Sequence, residues 1–389
     1  MGGVEALAAE LASRVGAAEV SFLIADLLGG TLARLARAQP PGQPPVAREA
    51  PESVPIEGTV TGLALRTQQV QVREVDHQVW VCAPVTARGE AVGVLELLLA
   101  EAPDEQTMAY LADAAHALAY VVIADRRYTD LYEWGQRSVP LSLQAEIQRR
   151  LLPGSYTCEA RHFTLAGWQV PAHDAGGDTF DFALDRDTLH LSITDAIGHS
   201  VAAAQLATLT VASLRNSRRA DAGILEQAQA AHKAMTEHAR SGEFVTGQLV
   251  RVDLATGTCQ VVNAGHVPPL LVRHGLVADV KLAADLPFGI VPDVTYQRQA
   301  LSLEAGDRLV LLTDGMLDRN AAEADVRALL EQVGDLHPRE AVQILTQAVL
   351  NATGNNLRDD ATIMVVDWYG GPDLPRGATA GATHDRASD

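Results

Sequence analysis

Four aspartates in this 389-residue chain stand at the ends of apolar runs, each close to a glycine or a second acid. They are Asp178 in AGGDTFDF, Asp195 in LSITDAIGHS, Asp314 in LVLLTDGMLD and Asp359 in LRDDATIMVV. An aspartate in such a place ordinarily closes a turn or caps a helix, and each of the four, taken alone, reads that way. Brought together on one edge of a sheet, the four would repel one another strongly. Divalent cations relieve that repulsion. Hard ions such as Mg2+ and Mn2+ take carboxylate, carbonyl and water oxygens, and no cysteine or multi-histidine set competes for a softer metal. Cys82, Cys158 and Cys259 are widely separated and form no C-x-x-C pair. The chemistry open to such a set of acids is the binding of hard divalent cations.

The elements that must position these acids lie between Phe163 and Trp368. FTLAGWQV, TLHLSITD, EFVTGQLVRVD, GTCQVVNAG, PPLLVRHG, DRLVLLTDG and ATIMVVDW read as strands. Helical patterns cover 201–219, 222–240, 322–333 and 338–352, so the region predicts an α+β domain with helices packed outside its sheets. The first hundred residues read as a smaller α+β unit with a mostly antiparallel sheet, interrupted by the Pro-rich stretch AQPPGQPPVAREAPESVP. From Pro103 the chain turns helical. Met108, Leu111, Ala115, Leu118 and Val122 form one apolar stripe, which suits either a short coiled coil or a helix packed on the preceding sheet. The expected organisation is a sensor-sized domain over 1–102, a helical connector over 103–152, a second domain over 153–369 and a disordered tail over 370–389.

The totals restrict the partners. With 30 Lys+Arg against 49 Asp+Glu, the formal charge of −19 repels nucleic acid and anionic membrane over most of the surface. No apolar run approaches the ~20 residues that cross a bilayer, and the start MGGVEALAAELASRVG lacks the basic and apolar regions of a secretory signal. A Met-Gly start hints at myristoylation, but Ala6 stands where Ser or Thr is wanted. Sparse cysteine suits a reducing compartment, and the expected localisation is cytoplasmic.

Five stretches, taken in order, resemble the metal-dependent protein phosphatases of the protein phosphatase 2C superfamily, and among them the bacterial SpoIIE-type branch. AGGDTFDF matches a GGD-x-x-D motif and TDAIGH a D-x-x-G motif. FVTGQLVRVDLATGTCQVVNAGHVPPLL matches a long central signature, and LEAGDRLVLLTDG and DDAT complete the set. The run LQAEIQRRLLPG resembles the segment leading into such domains. The resemblance implies a β-sandwich flanked by helices that holds two divalent cations, Mn2+ or Mg2+. Asp178 would ligate one, and Asp195 would bridge both as the central catalytic group, assisted by the carbonyl of Ala196. Asp314 and Asp359 would bind the other. Asp360 is the less favoured neighbour, and sequence does not separate that pair. The implied reaction is hydrolysis of phosphoserine or phosphothreonine by metal-activated water, with no protein nucleophile. The implied substrate is a phosphorylated anti-anti-sigma protein of STAS fold in a partner-switching pathway. Two features depart from the branch: Ala196 replaces a common Gly, and His199-Ser200 replaces a Gly-x-Gly ending. His266 reads as structural.

The N-terminal region resembles a GAF domain through G-x-x-x-x-x-A-L-R-T-Q-Q from Gly58, APV at 83–85 and RGEAVGVLEL from Arg88. That implies a small-molecule or protein signal, a homodimer, and regulation of the phosphatase through the connector. Two other functions compete. A pseudophosphatase would bind a phosphoprotein without turnover. A diguanylate cyclase shares only AGGDTF; Thr179 stands where its second acid belongs, and TDG and DDAT would be left unexplained.

Overall fold

The computed structural model describes residues 2–27, 29–35, 52–75, 77–137, 141–172, 176–198, 201–317, 324–354, 356–370, 378–379 and 382–383. The chain divides into two compact units, Met1–Pro140 with Arg376–Asp389, and Leu141–Pro375.

The first unit runs α1 (Gly2–Val15), β1 (Glu19–Ala25), β2 (Thr31–Arg34), β3 (Glu52–Pro55), α2 (Val60–Thr67), β4 (Gln71–Val75), β5 (Gln78–Ala87), β6 (Glu90–Leu99), α3 (Glu105–Asp125) and α4 (Leu131–Gly135). Its six strands pair antiparallel in the order β3-β2-β1-β6-β5-β4. Side-chain alternation sends Phe22 and Ile24 to a core shared with α1 and α3, and Leu23 to a smaller core under α2. Asp104 caps α3 by accepting from the Thr107 backbone N–H at 2.8 Å.

The connector expected over 103–152 is not one element. Leu111, Ala115, Leu118 and Val122 of α3 are buried in the main core of the first unit, whereas α5 (Leu143–Leu151) lies in the second. The same stripe corrects a second expectation. Among the described residues, α3 is the one helix long and apolar enough to span a bilayer by length and composition. Its apolar face is used within the protein, against the sheet. The Pro-rich stretch and most of the expected tail lie outside the described residues; Ala378–Thr379 and Ala382–Thr383 form a short antiparallel pair.

After α5 the second unit continues β7 (Thr157–Glu159), β8 (Phe163–Val170), β9 (Thr179–Leu184), β10 (Thr188–Ala196), α6 (Val201–Arg219), α7 (Ile224–His238), β11 (Val245–Asp253), β12 (Thr258–Ala264), β13 (Leu270–Arg273), β14 (Leu276–Asp279), β15 (Gln299–Ser302), β16 (Arg308–Leu312), α8 (Val326–Gln332), α9 (Pro338–Ala352) and β17 (Ala361–Trp368). Two sheets form, ordered β15-β12-β11-β10-β9 and β14-β13-β16-β17-β8-β7. Leu189, Leu191, Ile193, Phe180, Val250 and Val252 of the first sheet share a core with Phe163, Leu165, Leu309, Leu311, Met364 and Val366 of the second. On the outer faces, α6 and α7 cover the first sheet, and α8 and α9 cover the second. The result is the α+β domain with outer helices that the strand pattern predicts, in the sandwich form that the resemblance implies.

Candidate active site

Strand alternation determines which residues meet at one end of the sandwich. On β10 the inward phase 189, 191, 193 continues to Asp195; on β16 the phase 309, 311 continues to Thr313. On β17 the phase 368, 366, 364 runs back through Thr362 to Asp360, and on β8 the phase 163, 165 runs on to Gln169. Phe180 is inward on β9, so Asp178, two residues earlier, falls in the same phase. The registers Thr194↔Thr179, Leu312↔Ile363 and Ala361↔Val170 bring these strand ends to a common edge. Apolar residues fill the sandwich, and its open end carries the acids.

The polar contacts there are specific. Asp178 is buried, and its Oδ2 accepts from the Thr313 hydroxyl at 2.7 Å; Thr313 Oγ1 in turn accepts from the Thr362 backbone N–H at 3.1 Å. The Asp178 carbonyl accepts from the side-chain amides of Gln148 (2.7 Å) and Gln169 (2.8 Å). Asp360 is buried and accepts from the Ala172 backbone N–H (2.9 Å), the Gln148 amide (2.5 Å) and the Asp178 backbone N–H (3.4 Å). Asp359 is exposed, and its Oδ1 accepts from the Asp360 backbone N–H at 2.9 Å. Asp195 is half-buried, at the strand end. Asp314 is exposed and opens the short 3-10 turn Asp314–Met316.

Two glycines of the motifs are required by close backbone approach. A Cβ on Gly177 would lie 2.4 Å from the carbonyl oxygen of Ala196, and one on Gly315 would lie 2.0 Å from that of Asp360. The backbone N–H of Ala196 also donates to the Gly177 carbonyl at 3.2 Å. The loop before Asp178 is thereby locked to the end of β10, and the turn after Thr313 to the start of β17.

The acids press on one another. Burial raises the Asp195 carboxyl to about 7, with Asp314, Asp359 and Asp360 adding repulsion and a hydrogen bond with Asp178 opposing it. Burial, then Asp195 and Asp360, holds Asp178 well above the ordinary carboxylate range. Asp360 is raised to about 6, again chiefly by burial. All four acids singled out in sequence, with Asp360, are therefore in one electrostatic cluster. They do not form a closed shell: among the described residues no group of three or more His, Cys, Asp or Glu side chains is gathered in metal-holding positions. The donors are all oxygen and the cluster is negative and partly buried, which is the chemistry of a site for hard divalent cations.

Other motif residues have structural work. Asp181, the second acid of GGD-x-x-D, is buried and paired with Arg215 (2.8 Å) and Arg218 (3.0 Å) of α6. His266 is buried and held near pKa 4 by desolvation. Its Nε2 donates to the Leu312 carbonyl at 3.2 Å, leaving Nδ1 to accept from the Thr246 hydroxyl at 2.8 Å. His199 and Ser200 lie outside the described residues. Thr313, Gln148 and Gln169 carried no role in the sequence reading, although inward-phase counting from the apolar core would have found Thr313 and Gln169.

Residues 185–369 match the family model of stage II sporulation protein E (SpoIIE). The phosphoserine phosphatase RsbU of Bacillus subtilis (strain 168) is 21% identical over 268 residues, covering 65% of this chain and 80% of RsbU. The phosphoserine phosphatase RsbP of the same organism is 24% identical over 206 residues, covering 50% of this chain; the chain spans 49% of RsbP's length. The solved PP2C phosphatase domain of Bacillus subtilis SpoIIE, with a fragment of its regulatory domain, aligns at 20% identity and TM-score 0.47, covering 55% of this chain and 66% of that one. Within the second unit, residues 185–369 form a SpoIIE-type phosphatase domain homologous to RsbU and SpoIIE.

Proposed function

We propose that the chain is a protein-serine/threonine phosphatase whose second unit hydrolyses phosphoserine or phosphothreonine on a STAS-domain anti-anti-sigma protein. The observation that carries this reading is the convergence of Asp178, Asp195, Asp314 and Asp359 on one end of the sandwich, in reach of each other's charge. Asp178, Asp195, the Ala196 carbonyl, Asp314 and Asp359 would hold two divalent cations. Bound there, the cations would supply an acidified water and neutralise charge on a phosphoryl group. The chain's own residues prepare the site. Thr313 orients the Asp178 carboxylate through its hydroxyl, and Gly177 admits the Ala196 carbonyl to the same loop. The hydrogen bonds on Asp360 favour a structural role for it and leave Asp359 as the ligand.

The first unit, a six-stranded antiparallel sheet with helices on both faces, supports the GAF reading and with it control of the phosphatase by a signal bound to a homodimer. A second reading, a phosphoprotein-binding scaffold without turnover, draws on the absence of a closed shell of ligands among the described residues. Phosphate release from a phosphorylated STAS protein in Mn2+ or in Mg2+ separates the two. Turnover is expected, and Asp195→Asn or Asp314→Asn should lower it by more than about 100-fold. Undiminished turnover in either variant would overturn the two-metal assignment.

A further inference from the structure

We infer that Arg251, Arg218, His190 and Ser192 form a binding site for a phosphate group on the outer face of the first sheet of the second unit. The inference goes beyond the proposed phosphatase activity, and neither requires the other. On β10 the inward phase 189, 191, 193 fills the sandwich core, so His190 and Ser192 point the other way, toward α6 and α7. Arg251 on β11 is the cross-strand partner of His190. Arg218, in the last turn of α6, and Gln227, in the first turn of α7, close the same cleft from above. The cleft measures about 270 Å³, part of it open to solvent. His190 and Asp195 lie on one strand, about 17 Å apart at strand rise and on opposite faces. The cleft is therefore separate from the acid cluster.

Three of its groups have no side-chain partner in the fold. Ser192 is 8% exposed and its hydroxyl makes no hydrogen bond among the described residues. Neither His190 nor Arg251 makes a side-chain hydrogen bond or ion pair there. Polar groups lodged under a helical layer and left unpaired are destabilising unless a ligand or water meets them. The charge balance favours an anion. Arg215 and Arg218 share the one carboxylate of Asp181, at 2.8 and 3.0 Å. The acids around the rim have other work. Asp253 Oδ1 accepts from the Ala255 and Thr256 backbone N–H groups and from the Thr256 hydroxyl. Asp185 accepts from the Arg186 backbone N–H at 2.7 Å, and both it and Asp221 are exposed. His190 reports the resulting field. Burial pushes its ring down to about 4, and Arg218 and Arg251 push next, ahead of the opposing Asp185 and Asp221. The ring is neutral at pH 7, with one N–H to donate, and the field in the cleft is positive.

The donor set selects the ligand. Two guanidiniums, an imidazole N–H and a hydroxyl converge from β10, β11 and α6, while the Gln227 amide nitrogen is taken by the Ala222 carbonyl at 2.8 Å. A carboxylate offers two oxygens to such a set. A phosphate monoester offers three strong acceptors and a charge approaching −2, which matches two guanidiniums. The cleft falls below the size of sites that enclose a whole organic ligand. It admits inorganic phosphate or the phosphoryl group of a phosphorylated side chain.

The test is calorimetric titration of sodium phosphate into the full chain and into Arg251→Gln, Ser192→Ala and Lys233→Gln, at constant ionic strength and in a chelator. The chelator removes divalent cations, so phosphate held through metal at the acid cluster does not contribute. Lys233 is exposed on α7 and pairs only locally with Glu237. The parent should bind phosphate, Arg251→Gln at least about tenfold more weakly and Ser192→Ala about threefold more weakly. Lys233→Gln should stay within about twofold of the parent. Phosphate should also raise the melting temperature of the parent and leave that of Arg251→Gln unchanged. A phosphoserine peptide titrated in parallel distinguishes the two sources. Binding of inorganic phosphate alone assigns the site to the free ion. Binding of the peptide, lost in Arg251→Gln, assigns it to a phosphorylated segment. A parent that binds neither at millimolar concentration overturns the inference, as does equal binding by parent and Arg251→Gln. Should Arg251→Gln fail to fold, Ser192→Ala decides, and parental affinity there overturns the inference.

Discussion

Two acids of the cluster, Asp178 and Asp314, are placed by a neighbouring glycine. Gly177 shows this most directly, because its missing Cβ is what lets the Ala196 carbonyl sit against the Asp178 loop. Gly177→Ala should force the loop and the end of β10 apart. Overpacking at a backbone contact costs about 1–3 kcal/mol, which lowers the melting temperature of a unit this size by roughly 3–10 °C. Calorimetric scanning and Mn2+ titration should show both losses together, in a protein that still folds. A variant that melts lower but binds Mn2+ as before would separate the glycine from the site. At this scale sequence goes only part of the way. It marks Asp359 and Asp360 as a pair, and what distinguishes them is tertiary: Asp360 is buried under three donors from residues 148, 172 and 178, whereas Asp359 faces solvent.

Among the elements, the strands are the most legible, because alternation in FTLAGWQV, HLSITD, RLVLLTD and ATIMVVDW already specifies which polar residue ends each inward phase. Helix attachment is less so. The start of α9 depends on His337, whose Nδ1 accepts from the Arg339 backbone N–H at 3.1 Å while Nε2 donates to Glu159 at 2.8 Å. Nothing local in sequence ties residue 337 to residue 159. The cap requires a neutral ring, and burial, with Arg339 adding to it and Glu159 opposing, pushes His337 down to about 4. Between that value and the ordinary 6.5 the unfolded chain binds more protons than the folded one, so stability rises with pH across this window. It is fully present above about 6.5 and is lost as pH falls toward 4. Denaturant unfolding at pH 7 and pH 5 should show a decrease of about 2 kcal/mol attributable to this residue. His337→Asn retains a capping side chain without the titration and should reduce the pH dependence by that amount. An unchanged pH dependence would mean the ring is not held neutral.

For the whole molecule, the boundary between units falls at residue 140 and not at 102, because α3 completes the core of the first unit. The apolar stripe on α3 was visible in sequence, but a stripe does not say which surface it covers. A truncation at 102 would leave Leu111, Leu118 and Val122 without their sheet, so control by the first unit is properly tested by removing residues 1–140. If that unit regulates the phosphatase, the truncated protein should differ severalfold from the full chain in turnover or in Mn2+ affinity. Equal values for both would end the regulatory reading. If four carboxylates from distant parts of the chain hold divalent cations together, anomalous scattering from crystals grown with Mn2+ will locate them. Two manganese peaks within coordination distance of Asp178, Asp195, Asp314 and Asp359 are the expected result. An empty cleft at saturating Mn2+, or manganese bound only elsewhere, would contradict it.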